Sequence, residues 1–114
     1  MYIKLYLIRQ YLYIKSTKYI QMYKKLNITE NHLRILVLFS LNPEKDYYIR
    51  EVSSLIKISP RTSQLILDDL EKKDVLGSVV RGKIKLYKLR DNQKSKNYID
   101  MVKSYQKIIL FEDE

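Results

Sequence analysis

Two groups of residues in this chain carry recognisable chemistry. Arg81, Lys83, Lys85, Lys88 and Arg90 fall within a run that holds no acid, a density of cations suited to phosphate oxygens. Upstream stands Ser59-Pro60-Arg61-Thr62-Ser63-Gln64-Leu65. Its residue types can read nucleobase edges: Arg forks onto guanine, Gln pairs with adenine, and Thr and Leu meet the thymine methyl. Each group has a plainer alternative. A lysine-rich hairpin commonly serves only to blunt an edge strand against pairing, and a Pro-Arg-Thr sequence commonly just opens a surface helix.

Other chemistries are argued against by what is missing. With no cysteine, the chain has no disulfide, thiolate metal site or cysteine nucleophile. His32 is the single histidine, too few for a zinc centre or a histidine-centred hydrolase. Gly77 and Gly82 are the two glycines, so a glycine-rich phosphate loop is absent. Asp68 and Asp69 are adjacent, and adjacent residues of a helix point about 100° apart, a poor metal clamp. The expectation is a protein that is not an enzyme and needs neither cofactor nor metal.

The chain has 114 residues, a formal net charge of +9 and 46% hydrophobic residues, enough for one domain with a core. It holds 11 Tyr and no Trp. Tyr, Ile and Lys have AT-rich codons, so the tyrosine excess reads as codon usage rather than a ligand signature. Residues 1–26 carry six cations and no acid. Lys4, Arg9, Lys15 and Lys18 break that stretch well short of the roughly 20 apolar residues a membrane span needs. No small-residue cleavage site follows. The chain therefore reads as cytoplasmic and not membrane-inserted, with residues 1–21 dispensable if translation starts at Met22.

Several elements must position these residues. Met1, Leu5, Ile8, Leu12, Tyr19, Met22 and Leu26 form an apolar seam broken at Lys15, which predicts a basic amphipathic helix over 1–28. Thr29, with Asn27 as rival, caps a second helix whose Leu33–Phe39 stretch is apolar on nearly every side and so must be central. Asn42-Pro43 ends it. Tyr47-Tyr48-Ile49 is extended, and Arg50–Ile56 is a short helix with Val52, Leu55 and Ile56 inward. Ser59-Pro60 opens the next helix, to about Lys73, with Ser63, Ile66 or Leu67, and Leu70 buried. Ser78–Val80 and Ile84–Leu89 flank Arg81-Gly82-Lys83 as a β-hairpin. In its second strand Ile84, Leu86, Tyr87 and Leu89 compete for the core, while Lys85 and Lys88 face water. A last amphipathic helix runs from Gln93 to Phe111 behind an Asp91-Asn92 cap. Its acidic end, Glu112-Asp113-Glu114, opposes the helix dipole and is expected to fray. His32 is expected to face solvent.

This order of elements over 29–90 resembles the winged helix-turn-helix of compact prokaryotic, especially archaeal, transcription regulators related to the MarR and ArsR groups. The residues that carry the likeness are Tyr47-Tyr48-Ile49-Arg50-Glu51-Val52, Ile58-Ser59-Pro60-Arg61-Thr62-Ser63, Leu70-Glu71-Lys72-Lys73-Asp74-Val75-Leu76 and the basic hairpin. The fold class implied is mainly α with a small β-hairpin wing (α+β). A winged core over 29–90 would lie between the helix of 1–28 and a dimerisation helix over 91–114.

The resemblance implies a sequence-specific regulator that binds double-stranded DNA as a homodimer. Arg61, Thr62, Gln64 and Leu65 would face base edges from a recognition helix at about 59–73. Arg50, Ser59, Arg81, Lys83 and Lys85 would hold the backbone or minor groove, the last three from the wing at 78–89. Dimerisation is assigned to Leu5, Ile8, Leu12, Tyr98, Val102, Tyr105 and Ile109. The alternatives are helices that pack within their own chain, a basic helix lying on an anionic membrane, and a winged helix used as a protein-interaction module. Two departures stand out. Lys57 and Asp74 occupy turn positions where glycine is usual, and Asp68, Asp69 and Glu71 would repel phosphate if they faced it. An effector-binding cavity leaves no readable motif.

Overall fold

The computed structural model describes residues 24–113, with side chains for 24–104. The elements run α1 (Glu30–Leu41), β1 (Tyr47–Tyr48), α2 (Ile49–Ile56), α3 (Pro60–Lys72), β2 (Leu76–Arg81), β3 (Ile84–Leu89) and α4 (Gln93–Asp113). Residues 24–26 are helical, Asn27 turns out of the helix at φ 54° and Ile28 is buried. The expected helix thus ends at Leu26 rather than at 28, and its residues 1–23 lie outside the described residues. So do the seam residues Leu5, Ile8 and Leu12 and the alternative start at Met22.

Helix α1 is the centre of the packing. Leu33, Ile35, Leu36 and Phe39 are fully buried, each such side chain contributing roughly 1.5–3 kcal/mol. Phe39 meets Tyr47 edge-on at 5.0 Å between ring centroids. Helix α4 packs across α1, with Tyr98 and Val102 buried in the same core. Those two side chains therefore do not form an open seam. Tyr105, Ile109 and the acidic end fall outside the described side chains.

The helix ends are set by local chemistry. Ser59 caps α3 by accepting from Thr62 N–H at 3.1 Å, with Pro60 at the first helical position. Asn92 caps α4 by accepting from Ser95 N–H at 2.8 Å. Lys57 takes the left-handed conformation, φ 63° and ψ 50°, and Ile58 N–H reaches back to the Ser53 carbonyl at 3.2 Å. Asp74 does the same after α3, at φ 66°, with Val75 N–H on the Leu70 carbonyl at 3.0 Å. Both turns keep the backbone geometry for which glycine is usual. Arg34 adds a side-chain cap, donating at 2.5 Å to the Ile56 carbonyl that ends α2.

Helices α2 and α3 meet through small side chains. The hydroxyls of Ser53 and Ser63 lie 2.9 Å apart in the interface, and both residues are buried. Ser53 thus takes the inward position expected of Leu55, which is 54% exposed. On α3 both Ile66 and Leu67 are buried, so the choice between them does not arise.

The sheet has three antiparallel strands in the order β1-β3-β2. Tyr47 pairs with Tyr87 and Tyr48 with Leu86, while Arg81 pairs with Ile84 around a two-residue Gly82-Lys83 turn. The first hairpin strand begins at Leu76, earlier than the expected Ser78. Gly82 sits at φ 64° with open space around it, as such a turn demands. Tyr87 wins the competition for the core, being 1% exposed, whereas Ile84 is 49% exposed.

Candidate nucleic-acid interface

Arg61, Gln64 and Leu65 lie three and four residues apart on α3 and so share one face. All three are exposed, Leu65 at 62%. Thr62 is half-buried, its hydroxyl accepting from Ser59 Oγ at 2.9 Å. The Ser59 side chain is thereby committed to opening the helix. Ser63, Ile66, Leu67 and Leu70 hold the opposite face to the core.

The second half of α3 carries the acids, and each has partners. Asp68 accepts from the Tyr87 hydroxyl at 2.6 Å. Asp69 accepts from Lys73 at 2.6 Å and lies 2.9 Å from His32 Nε2. Glu71 accepts from the Ser78 hydroxyl and from Lys85 Nζ at 3.1 Å. The three carboxylates are thus paired within the chain, while their side chains stay 28–38% exposed. Burial alone would raise the Asp69 carboxyl, but hydrogen bonds from Lys73 and His32 outweigh it and hold it low. The Ser78 hydrogen bond, helped by Lys85, likewise holds Glu71 low.

His32 is a correction to the sequence reading: it is buried, 7% exposed, rather than solvent-facing. Its Nδ1 accepts from Thr29 N–H at 3.1 Å, while Thr29 Oγ1 accepts from His32 N–H at 3.4 Å. The pair is a capping box with histidine where Glu or Gln is customary.

The basic run from 81 to 90 separates into two populations. Lys88 pairs with Glu44 at 3.3 Å and Arg90 with Asp74 at 3.0 Å. Lys85 is half-buried and lies 3.1 Å from Glu71 and 3.6 Å from Asp68. That placement corrects the expectation that Lys85 faces open water. The Glu71 hydrogen bond raises its ammonium pKa. Arg81 and Lys83, at the hairpin tip, are exposed and make no ion pair among the described residues.

Arg50 joins the tip from another element. It is exposed in the first turn of α2 and, with Tyr48, Ile49, Lys83, Ile84 and Lys85, lines a shallow groove between that helix and the hairpin. Tyr48 provides no side-chain cap for α2. The groove thus offers two exposed cations near backbone N–H groups at a helix start, an arrangement suited to an anion. Among the described residues, no group of three or more His, Cys, Asp or Glu side chains could hold a metal ion.

The whole arrangement matches known architecture. No family model and no curated protein sequence matches the chain. Solved structures do. MepR of Staphylococcus aureus in its DNA complex aligns with a TM-score of 0.69 at 17% identity, covering 96% of this chain and 86% of MepR. The fold is a winged helix-turn-helix. A MepR mutant bound to an oligodeoxyribonucleotide gives 0.71 at 16% identity, with 93% of this chain and 78% of that one covered. The YusO protein of Bacillus subtilis gives 0.68 at 19% identity, with 94% and 76% covered. In this winged helix-turn-helix, α2 and α3 form the helix-turn-helix and β2–β3 the wing.

Contacts between the wing and α3, Ser78 and Lys85 with Glu71 and Tyr87 with Asp68, were not anticipated from the sequence. Asp68 and Glu71, spaced three apart on a helix, and Ser78 and Tyr87 on the strands were the legible signals. Their pairing was not legible, because it depends on the register Ser78↔Tyr87 and on how α3 crosses the sheet.

Proposed function

We propose that this protein is a non-enzymatic transcription regulator that binds double-stranded DNA sequence-specifically as a homodimer. Helix α3, at about 59–73, would enter the major groove, and the wing, at 78–89, would lie on the backbone or in the minor groove. The observation that carries this reading is the division of charge along α3. Arg61, Gln64 and Leu65 are exposed in its first half, while Asp68, Asp69 and Glu71 are held by partners inside the fold. A helix-turn-helix presents the N-terminal residues of its second helix to base edges.

The division of labour follows from residue chemistry. Arg61 and Gln64 supply bidentate donors and acceptors for bases, and Thr62 and Leu65 supply apolar contact for a thymine methyl. Arg50, Arg81 and Lys83 supply the phosphate contacts whose counterion release gives affinity. Support also comes from the likeness to MepR, whose structure is a complex with DNA.

A homodimer joined by the terminal helices would read two half-sites about 10 bp apart. Leu5, Ile8, Leu12, Tyr105 and Ile109 would supply the apolar seams, Tyr98 and Val102 being engaged in the chain's own core. No helix among the described residues is long and apolar enough to cross a membrane, and a cytoplasmic location belongs to the same proposal.

A second reading, a winged helix that docks another protein, draws on the exposed Leu41 at 72% and Val80 at 67%. Selection of duplexes from a random pool, followed by binding at about 50 and about 200 mM salt, separates the readings. An enriched palindrome that survives competition supports the regulator. Steep salt loss without enrichment indicates nonspecific DNA binding. No binding at either salt gives first place to the protein-docking reading.

A further inference from the structure

The wing reaches beyond the core that should hold it. Val79, Val80 and Ile84 are all largely exposed, and a two-stranded hairpin without a packed face is marginal in water. What ties it down is a cluster on one side. Strand alternation and the registers Ser78↔Tyr87 and Val80↔Lys85 put Ser78, Lys85 and Tyr87 on the same sheet face as the buried Leu76. Opposite them, Asp68 and Glu71 stand three residues apart on α3. The Tyr87 hydroxyl donates to Asp68 Oδ1 at 2.6 Å, and the Ser78 hydroxyl donates to Glu71. Lys85 Nζ lies 3.1 Å from Glu71, 3.6 Å from Asp68 and 5.0 Å from the Tyr87 ring centroid.

We propose that this cluster is a positioning clamp in which Lys85 and Tyr87 hold the wing tip at a fixed reach from α3, so that Lys85 positions the wing rather than contacting DNA. The consequence for DNA rests on the regulator reading above, whereas the clamp itself does not. Lys85 is the clamp residue nearest the tip, two positions from Lys83. It lies between two carboxylates that would otherwise repel each other and any phosphate nearby. With the clamp closed, the separation between the base edges reached by Arg61 and the phosphates reached by Arg81 and Lys83 is a property of the fold.

The test compares the full chain with Lys85→Met, with Tyr87→Phe, and with the charge exchange Lys85→Glu plus Glu71→Lys. Tyr87→Phe keeps the buried ring and removes one hydrogen bond, so it reports on the clamp without emptying the core. Amide hydrogen exchange in Val80–Ile84 should quicken roughly fivefold in Lys85→Met and in Tyr87→Phe, and return toward wild type in the charge exchange. On a selected duplex, wing-phosphate protection should fade in Lys85→Met and return in the charge exchange, with base preference under α3 kept throughout. Unchanged exchange in Lys85→Met, with a salt slope lowered by about one and not restored by the charge exchange, makes Lys85 a direct phosphate contact and overturns the clamp. Quickened and rescued exchange in a protein that binds no duplex supports the clamp and rejects the DNA-binding reading instead.

Discussion

His32 Nε2 lies 2.9 Å from Asp69 Oδ2, joining the first turn of α1 to the last turn of α3 across 37 sequence positions. On the other side of the ring, Nδ1 accepts from Thr29 N–H. This geometry fits a neutral imidazole with its proton on Nε2. Protonating Nδ1 would set it against Thr29 N–H and leave Thr29 Oγ1, 2.8 Å away, as its acceptor.

The pH dependence follows. Burial pushes the His32 pKa below its ordinary 6.5, and the Asp69 carboxylate only partly opposes it. The unfolded chain therefore takes up the proton first as pH falls, and stability declines below about 6.5 until folded His32 is also protonated. Asp69, held below its ordinary 3.8, adds a second decline at lower pH. His32→Gln keeps a residue suited to the capping box and removes the titration. Urea unfolding at pH 7 and pH 5 should show a steeper loss for the wild type than for His32→Gln. Equal losses would remove His32 from the explanation.

Arg61→Ala should weaken binding to the selected duplex by about 1–3 kcal/mol and relax preference at one base pair. Lys83→Ala should weaken all duplexes similarly and lower the salt slope by about one. The contrast is the informative part. If Arg61→Ala lowered binding uniformly across sequences, α3 would be holding the backbone rather than reading bases.

Much of this frame was legible because its signals are local. Ser59-Pro60 announces a helix start whatever surrounds it, and Thr29 and Asn92 cap as their residue types lead one to expect. Residues decided by distant partners were not legible. His32 reads as an exposed first-turn residue unless Asp69 is known to stand opposite. Lys85 reads as a solvated wing lysine, since alternation assigns its face and says nothing of the helix packed there. Leu55 lost the inward position to Ser53 because α2 and α3 approach closely, and only a small side chain fits between them. The ten-residue basic run likewise concealed that Lys88 and Arg90 are paired while Arg81 and Lys83 are exposed at the tip.

Lys57 offers a test of the turn that joins α2 and α3. Its left-handed backbone costs a residue with a Cβ on the order of 1 kcal/mol, which glycine largely avoids. We predict that Lys57→Gly raises unfolding stability by up to about 1 kcal/mol, offset in part by the greater entropy of the unfolded glycine. Lys57→Val should lower it, because a β-branched side chain tolerates that conformation least. Equilibrium urea denaturation of both variants checks the pair, and a stability order with Val above Gly would contradict the left-handed turn.

The terminal helices yield the last expectation, in which core and association separate. Val102 is fully buried beside α1, so Val102→Ala should cost about 2 kcal/mol of stability through lost burial and cavity formation. The proposed dimer seam is tested elsewhere, by Leu12→Glu and Ile109→Glu, which place a charge on each seam. Sedimentation equilibrium should show a dimer for the wild type and for Val102→Ala, and a folded monomer for both glutamate variants. That monomer should bind a half-site duplex weakly and lose the advantage of the palindrome, because one reading helix then acts alone. A wild-type monomer that already prefers the palindrome would break the link between the terminal helices and paired half-sites.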